Sequence, residues 1–229
     1  MLLQPQPPFP TAALRDVFAQ ERAALAPECA GVFGRQGLFV GCDAELVAHM
    51  AAPMLGRRLG LRVLAPDRLT GDAVCAPAEL PFPDDSFRLV VVQHAFERVA
   101  DAAGMRAEIV RVLESGGTAM IVGFARFGAW RPWLAWHGRD QPPWHYASAA
   151  TWRRALARGG VDVYAQRRIG PSRIAVGGGS VLLPAAFRSS WLLLARKRNT
   201  HALLRTHPAA LQPRGVRANL ASGTQRASA

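Results

Sequence analysis

The side chains with chemical reach in this sequence fall into a few groups. Cys29, Cys42 and Cys75 are odd in number and form no CxxC pair. That argues against a disulfide scaffold, a zinc ribbon and a dithiol redox site. Cys42 has no cation beside it in sequence to hold a thiolate, so it reads as a small buried residue rather than a nucleophile. His94 closes an apolar run, where it either bonds within a loop or lines a pocket and accepts a proton. Gly41 closes another run, either as an ordinary strand end or as a point where a ligand nears the backbone. Asp84-Asp85 reads as a turn, not as an acid/base pair. Gly177-Gly178-Gly179-Ser180 lacks the Lys-Ser/Thr ending and following helix of a phosphate loop, and reads as a flexible connector. The densest group holds Arg126, Trp130, Arg131, Trp133, Trp136, His137, Arg139, Trp144, His145 and Tyr146. Such a mixture either binds a planar or anionic molecule by stacking and charge, or packs a cover over the fold. No catalytic residue is singled out, and no metal set is found.

These groups need elements to position them. Thr11 can cap a helix running to about Leu25, with Leu14, Val17, Phe18 and Leu25 near one face. Residues 37–40 and 61–64 are short strand candidates. The segment 44–58 between them looks helical until Pro53 interferes. Residues 75–83 hold three prolines and read as a loop. Phe87 to Val92 is a continuous β-branched run, as for a strand buried on both faces. Met105, Ile109, Val112 and Leu113 give a helix stopped by Gly116-Gly117. Strands are expected at 118–122, 161–166 and 191–195. Ser148 or Thr151 caps a helix carrying Trp152 and Leu156, closed by Gly159-Gly160. Strands alternating with helices at this spacing imply an α/β fold on a parallel sheet with helices on both faces.

Residues 79–123 carry a family resemblance. Glu-Leu-Pro-Phe-Pro-Asp-Asp-Ser-Phe (79–87), Leu-Val-Val-Val (89–92), Arg-Val-Leu-Glu-Ser-Gly-Gly (111–117) and Thr-Ala-Met-Ile-Val (118–122) stand in that order. This block resembles the middle of class I S-adenosylmethionine-dependent methyltransferases of the type-11 group, with a degenerate glycine loop. Leu-Phe-Val-Gly-Cys (38–42) stands where that family has its first strand and loop. The resemblance runs from about residue 37 to 197. It implies a Rossmann-like, mostly parallel seven-stranded sheet with an antiparallel last strand, and S-adenosylmethionine as cofactor. In open sheets of this kind ligands sit beyond the carboxyl ends of the strands. The resemblance therefore implies cofactor contacts from Gly41, Cys42 and Asp43, from Ala76 and Pro77, and from Gln93 and His94. It implies an acceptor site built by the segment after the fifth strand, with Arg126, Trp130, Trp133, His137 and Arg139. The departures lie on the donor side. Phe39 stands in place of the first acid, and only the first loop glycine is kept. Ala65-Pro66 replaces the acid that holds the ribose, with Asp67 beyond it. Ala76 replaces the adenine-binding Asp, and Pro77 offers no backbone N–H there. Asp43 and Asp72 are the nearby acids that could stand in.

Two function classes follow. One is methyl transfer from S-adenosylmethionine to an unknown acceptor. The other is a catalytically silent methyltransferase-fold protein that binds RNA or another acidic partner. The charge bears on the second. The 229 residues carry 28 basic and 16 acidic side chains, a net +12. The last acid is Asp162, and residues 163–229 hold eleven basic side chains and no acidic one. Residues 199–229 lack helical periodicity and aromatic rings, and read as a disordered tail suited to weak, non-specific nucleic-acid contact. The organisation expected is an extension and helix (1–36), a methyltransferase-like domain (37–198) and the tail (199–229). No membrane contact is expected, and a reduced cytoplasmic setting suits the cysteines.

Overall fold

The structure is a computed structural model. It describes residues 12–43, 45–125, 145–170, 173–176, 179–182, 184 and 188–199. The chain divides into residues 1–199 and 200–229. The second unit and the segment 126–144 lie outside the described residues, and with them the whole expected acceptor group: Arg126, Trp130, Trp133, His137 and Arg139.

A seven-stranded sheet runs in the order β3-β2-β1-β4-β5-β9-β6. Its strands are β1 (Gly34–Gly41), β2 (Leu55–Ala65), β3 (Arg68–Gly71), β4 (Phe87–Gln93), β5 (Leu113–Phe124), β6 (Val161–Ile169) and β9 (Ser190–Lys197). β1 pairs in parallel with β2 and β4, and β4 with β5. β9 runs antiparallel to both β5 and β6. Among the described residues four α-helices flank the sheet: α1 (Ala12–Ala30), α2 (Glu45–His49), α3 (Ala102–Val112) and α4 (Ala149–Arg158). Alternation along the strands builds two cores. Leu38, Val40, Val90 and Val92 pack on one face with Met105 and Ile109 of α3 and Trp152 and Leu156 of α4. Phe39, Leu89 and Val91 pack on the other with Leu25 and Cys29 of α1, Leu46 of α2 and Met50 just after it.

Several elements differ from the sequence reading. The helix expected over 44–58 is only five residues long, because Pro53 cannot continue it and Leu55 already starts β2. β2 is followed by a tight turn at Pro66-Asp67 into β3, which runs back antiparallel, so this strand pair has no crossover helix. α3 ends at Val112, and Leu113 belongs to β5. Gly116, at φ +73°, lies within the strand where its register against β4 shifts. The glycine-rich connector is a two-stranded hairpin, β7 (Arg173–Val176) with β8 (Gly179–Leu182). Ser148, rather than Thr151, caps α4, its side chain accepting from the Thr151 N–H.

Candidate functional site

The parallel strands bring Gly41, at the end of β1, and Gln93, at the end of β4, side by side in register. His94 follows in a left-handed conformation, φ 56°, which turns the chain into the short 3-10 helix Ala95–Glu97. Its ring lies between two phenylalanines, with centroids 5.1 Å from Phe18 and 3.9 Å from Phe124, both stacked. Nδ1 lies 2.7 Å from Glu97 Oε2, and Nε2 lies 2.9 Å from Glu21 Oε2. Gln93 Nε2 donates to Glu21 at 2.7 Å, and the Ser190 hydroxyl donates to the same carboxylate. Glu97 Oε1 accepts the Phe124 N–H at 2.6 Å. All of these groups are buried. Burial by itself would lower the His94 pKa, but the Glu21 and Glu97 carboxylates outweigh it and push it up to about 10. The ring is thus an imidazolium at neutral pH, with both N–H groups engaged, and it has no lone pair with which to accept a substrate proton.

The first loop is equally engaged. A Cβ on Gly41 would stand 2.9 Å from Leu46 Cδ2, so its missing side chain makes room for α2. The Cys42 thiol donates to the His94 carbonyl at 3.1 Å, and burial pushes its pKa far up, which rules out a thiolate. Asp43 pairs with Arg22 of α1 at 2.7 Å, tying that helix across the loop. Ala76 is exposed and its carbonyl accepts the Glu79 N–H, while Pro77 is buried. The Leu80-Pro81-Phe82 loop is held by Arg111, which donates to the carbonyls of Leu80 (3.0 Å) and Phe82 (2.8 Å) and pairs with Glu108 and Asp84. Glu108 in turn accepts the Leu80 N–H at 2.8 Å, and its carboxyl is held below the usual range chiefly by Arg111.

Glu21 is the functional-looking residue that sequence reasoning passed over. A signal was present: Leu14, Phe18, Glu21 and Leu25 recur on one helical face, so the acid sits inside the apolar stripe. Asp72 is the second finding. Its carboxylate accepts the Gly60 N–H at 2.6 Å, and it lines a cleft of about 240 Å³ together with Asp43, Arg62 and Thr70. The two acids named as stand-ins therefore share one cleft.

Whether the described residues fit S-adenosylmethionine can be tested on these contacts. A ribose acid at the end of β2 is absent, since Arg62 is the residue opposite Gly41 and Ala65 ends the strand. The β2–β3 turn closes against the chain after β4, where Ala100 donates to the Pro66 carbonyl at 2.8 Å. Behind it Val63 and Leu69 share a core with Cys42, Leu80, Phe96 and Val99. On the opposite face Phe18 and Glu21 cover His94. Among the described residues this edge is covered from both sides, and the cleft lined by Asp43 and Asp72 is smaller than the roughly 300 Å³ at which cofactor sites begin. The donor group does not fit the seat these residues make. Among the described residues there is also no cluster of metal-ligating side chains, and no helix is long and apolar enough to cross a membrane.

Comparison with known proteins places the scaffold. Residues 37–121 match the family model described as a methyltransferase domain. A ubiquinone/menaquinone biosynthesis C-methyltransferase from Xanthomonas oryzae is 33% identical over 94 residues, 37% of this chain and 37% of that protein. The chain therefore spans little more than a third of the curated relative it matches. The structure of geranyl diphosphate C-methyltransferase from Streptomyces coelicolor, solved with Mg²⁺, geranyl diphosphate and S-adenosyl-L-homocysteine, superimposes with a TM-score of 0.55 at 16% identity, covering 78% of this chain and 79% of that one. An S-adenosylmethionine-dependent methyltransferase from Thermotoga maritima gives 0.56 at 13% identity, covering 80% and 91%. The sheet has their architecture, with an antiparallel strand between the fifth and sixth. Over residues 37–121 the chain is similar to the methyltransferase domain family, and its fold is that of the class I S-adenosylmethionine-dependent methyltransferases.

Proposed function

We propose that this chain has kept the methyltransferase fold as a binding scaffold and carries out no methyl transfer at the family's donor edge. The observation that carries this reading is the Glu21–His94–Glu97 cluster. A buried imidazolium between two carboxylates and two stacked phenylalanines stands where the methionine end of a donor would lie. Opening that position would break several charge-assisted bonds among buried groups, which costs far more than one weak ligand returns. The reduced, cytoplasmic setting belongs to the same proposal and is supported by three free cysteines. Titration calorimetry of the purified chain with S-adenosylmethionine and S-adenosylhomocysteine tests the reading. No saturable heat up to millimolar ligand is expected, and micromolar binding overturns it.

A second reading has an observation of its own. Asp43 and Asp72, with Thr70, line one cleft beside the first loop and could receive the hydroxyls of a ribose. On that reading the chain methylates an unknown acceptor with a donor seated nearer β3. Three altered contacts at roughly 1 kcal/mol or more each would weaken the donor on the order of a hundredfold. Asp72→Asn should then abolish the remaining binding.

A further inference from the structure

At the end of the sheet remote from Gly41 and Gln93, a cleft of about 420 Å³ is lined by Asp162, Tyr164, Arg196, Lys197, Arg198 and Asn199. Some of these side chains serve the fold. Lys197 donates to the carbonyls of Val110 and Leu113 and pairs with Asp85. Arg198 donates to the Ala157 carbonyl and takes up Asp162 at 3.3 Å. What remains is Arg196, exposed and, among the described residues, paired with no carboxylate. Beside it is Tyr164, a residue 56% exposed. β6 is the last strand of the sheet, and its pairing with β9 shifts register between Val163 and Ala165, so Tyr164 is the extra residue of a bulge. Bulges of this kind re-aim a side chain. Around it Arg196, Lys197 and Arg198 stand in succession on β9 and just after it, while the acids nearby are engaged, Asp162 by Arg198 and Glu28 of α1 by Arg167.

We propose that this cleft binds single-stranded nucleic acid, with a base stacked on Tyr164 and a neighbouring phosphate on Arg196. An exposed aromatic ring beside a free guanidinium in a basic field is the pairing that single strands use, because every base has a face to stack and every linkage a charge. An anionic membrane would call for apolar side chains around the cleft, where arginines stand instead. An acidic peptide has no use for the ring. Residues 199–229 hold no Phe, Trp or Tyr. The proposal stands whether or not the donor edge binds S-adenosylmethionine.

The test is fluorescence anisotropy of a labelled twelve-nucleotide single-stranded RNA with the full chain at about 50 and about 200 mM salt. Binding that weakens at least tenfold across that range is expected. Tyr164→Ala should weaken it at least fivefold, while Tyr164→Phe, which keeps the ring, should bind as the unaltered chain does. Arg196→Ala should weaken binding and make the salt dependence shallower by somewhat less than one charge. Both positions are exposed, and circular dichroism will report that the variants stay folded. RNA binding that Tyr164→Ala leaves unchanged overturns the proposal. So does equal, ring-dependent binding of poly-glutamate, or of vesicles containing phosphatidylserine.

Discussion

Removing Glu21 leaves a buried imidazolium with one carboxylate fewer, and that asymmetry makes the cluster a sensitive reporter at the residue scale. The sign of its pH dependence follows from His94, whose pKa is raised from its ordinary 6.5 to about 10. Its stabilisation is complete below about pH 6.5 and is lost as pH rises through about 10. Burial pushes the Glu97 carboxyl up as well, so His94 and Glu97 titrate as one cluster and both shifts remove stability as pH rises. Chemical denaturation at pH 7 and pH 10 should show the chain losing a few kcal/mol of stability. His94→Gln should be less stable at pH 7 and flatter across that range. An unchanged slope in His94→Gln would show that the imidazolium is not what the pH titrates. Gly41 gives a second prediction. Because Leu46 fills the space beside it, Gly41→Leu should destabilise the fold by about 1–3 kcal/mol through overpacking, read as a lower denaturation midpoint. A fully stable Gly41→Leu chain would show that α2 can shift, and that the glycine serves something other than packing. His94 was legible as either a loop histidine or a pocket residue. Its partner Glu21 lies 73 positions away in sequence, and no local pattern joins them.

At the scale of elements, the block that carries the family resemblance holds together for a reason visible in its bonds. Arg111 near the end of α3 grips the carbonyls of Leu80 and Phe82, and Glu108 one turn earlier holds the Leu80 N–H. The loop, the helix end and the strand they flank are therefore legible as one unit, and Arg111 is its fastener. Arg111→Ala should cost about 2 kcal/mol in urea unfolding, the worth of its two bonds to the Leu80 and Phe82 carbonyls at a partly exposed site. Arg111→Lys should recover little, because a single ammonium cannot reproduce the fork. Full recovery by Lys would reduce Arg111 to a point charge. Strands with continuous apolar runs, β4 above all, were readable for the same reason of local consistency. The β2–β3 hairpin was not. Gly56 and Gly60 and the arginines between them break the apolar alternation of β2, and no turn signal beyond Pro66-Asp67 marks β3. The hairpin that the sequence did not announce is thus the element that packs against the chain after β4.

Across the whole molecule, the two ends of the sheet carry different physics. Among the described residues, one holds buried, paired charges: His94 with Glu21 and Glu97, and Arg22 with Asp43. The other faces water with an excess of arginine that no acid in residues 163–229 offsets. That imbalance was legible in the sequence, whereas its anchor was not, because only the bulge in β6 reveals Tyr164. Deleting residues 200–229 separates the two contributions to nucleic-acid binding. The deleted stretch has few bulky apolar side chains to offset the cost of ordering it, so thermal melting should be nearly unchanged. It carries four arginines, and single strands give a slope of about 0.7 per neutralised phosphate. The logarithmic salt dependence should therefore become shallower by at most about 3, and the loss caused by Tyr164→Ala should persist in the shortened chain. Persistence of the ring effect assigns stacking to the edge strand and reach to the tail. If the shortened chain binds no RNA under any salt condition while remaining folded, the cleft has no affinity of its own. A shortened chain that fails to fold would show that residues 200–229 contribute to the core.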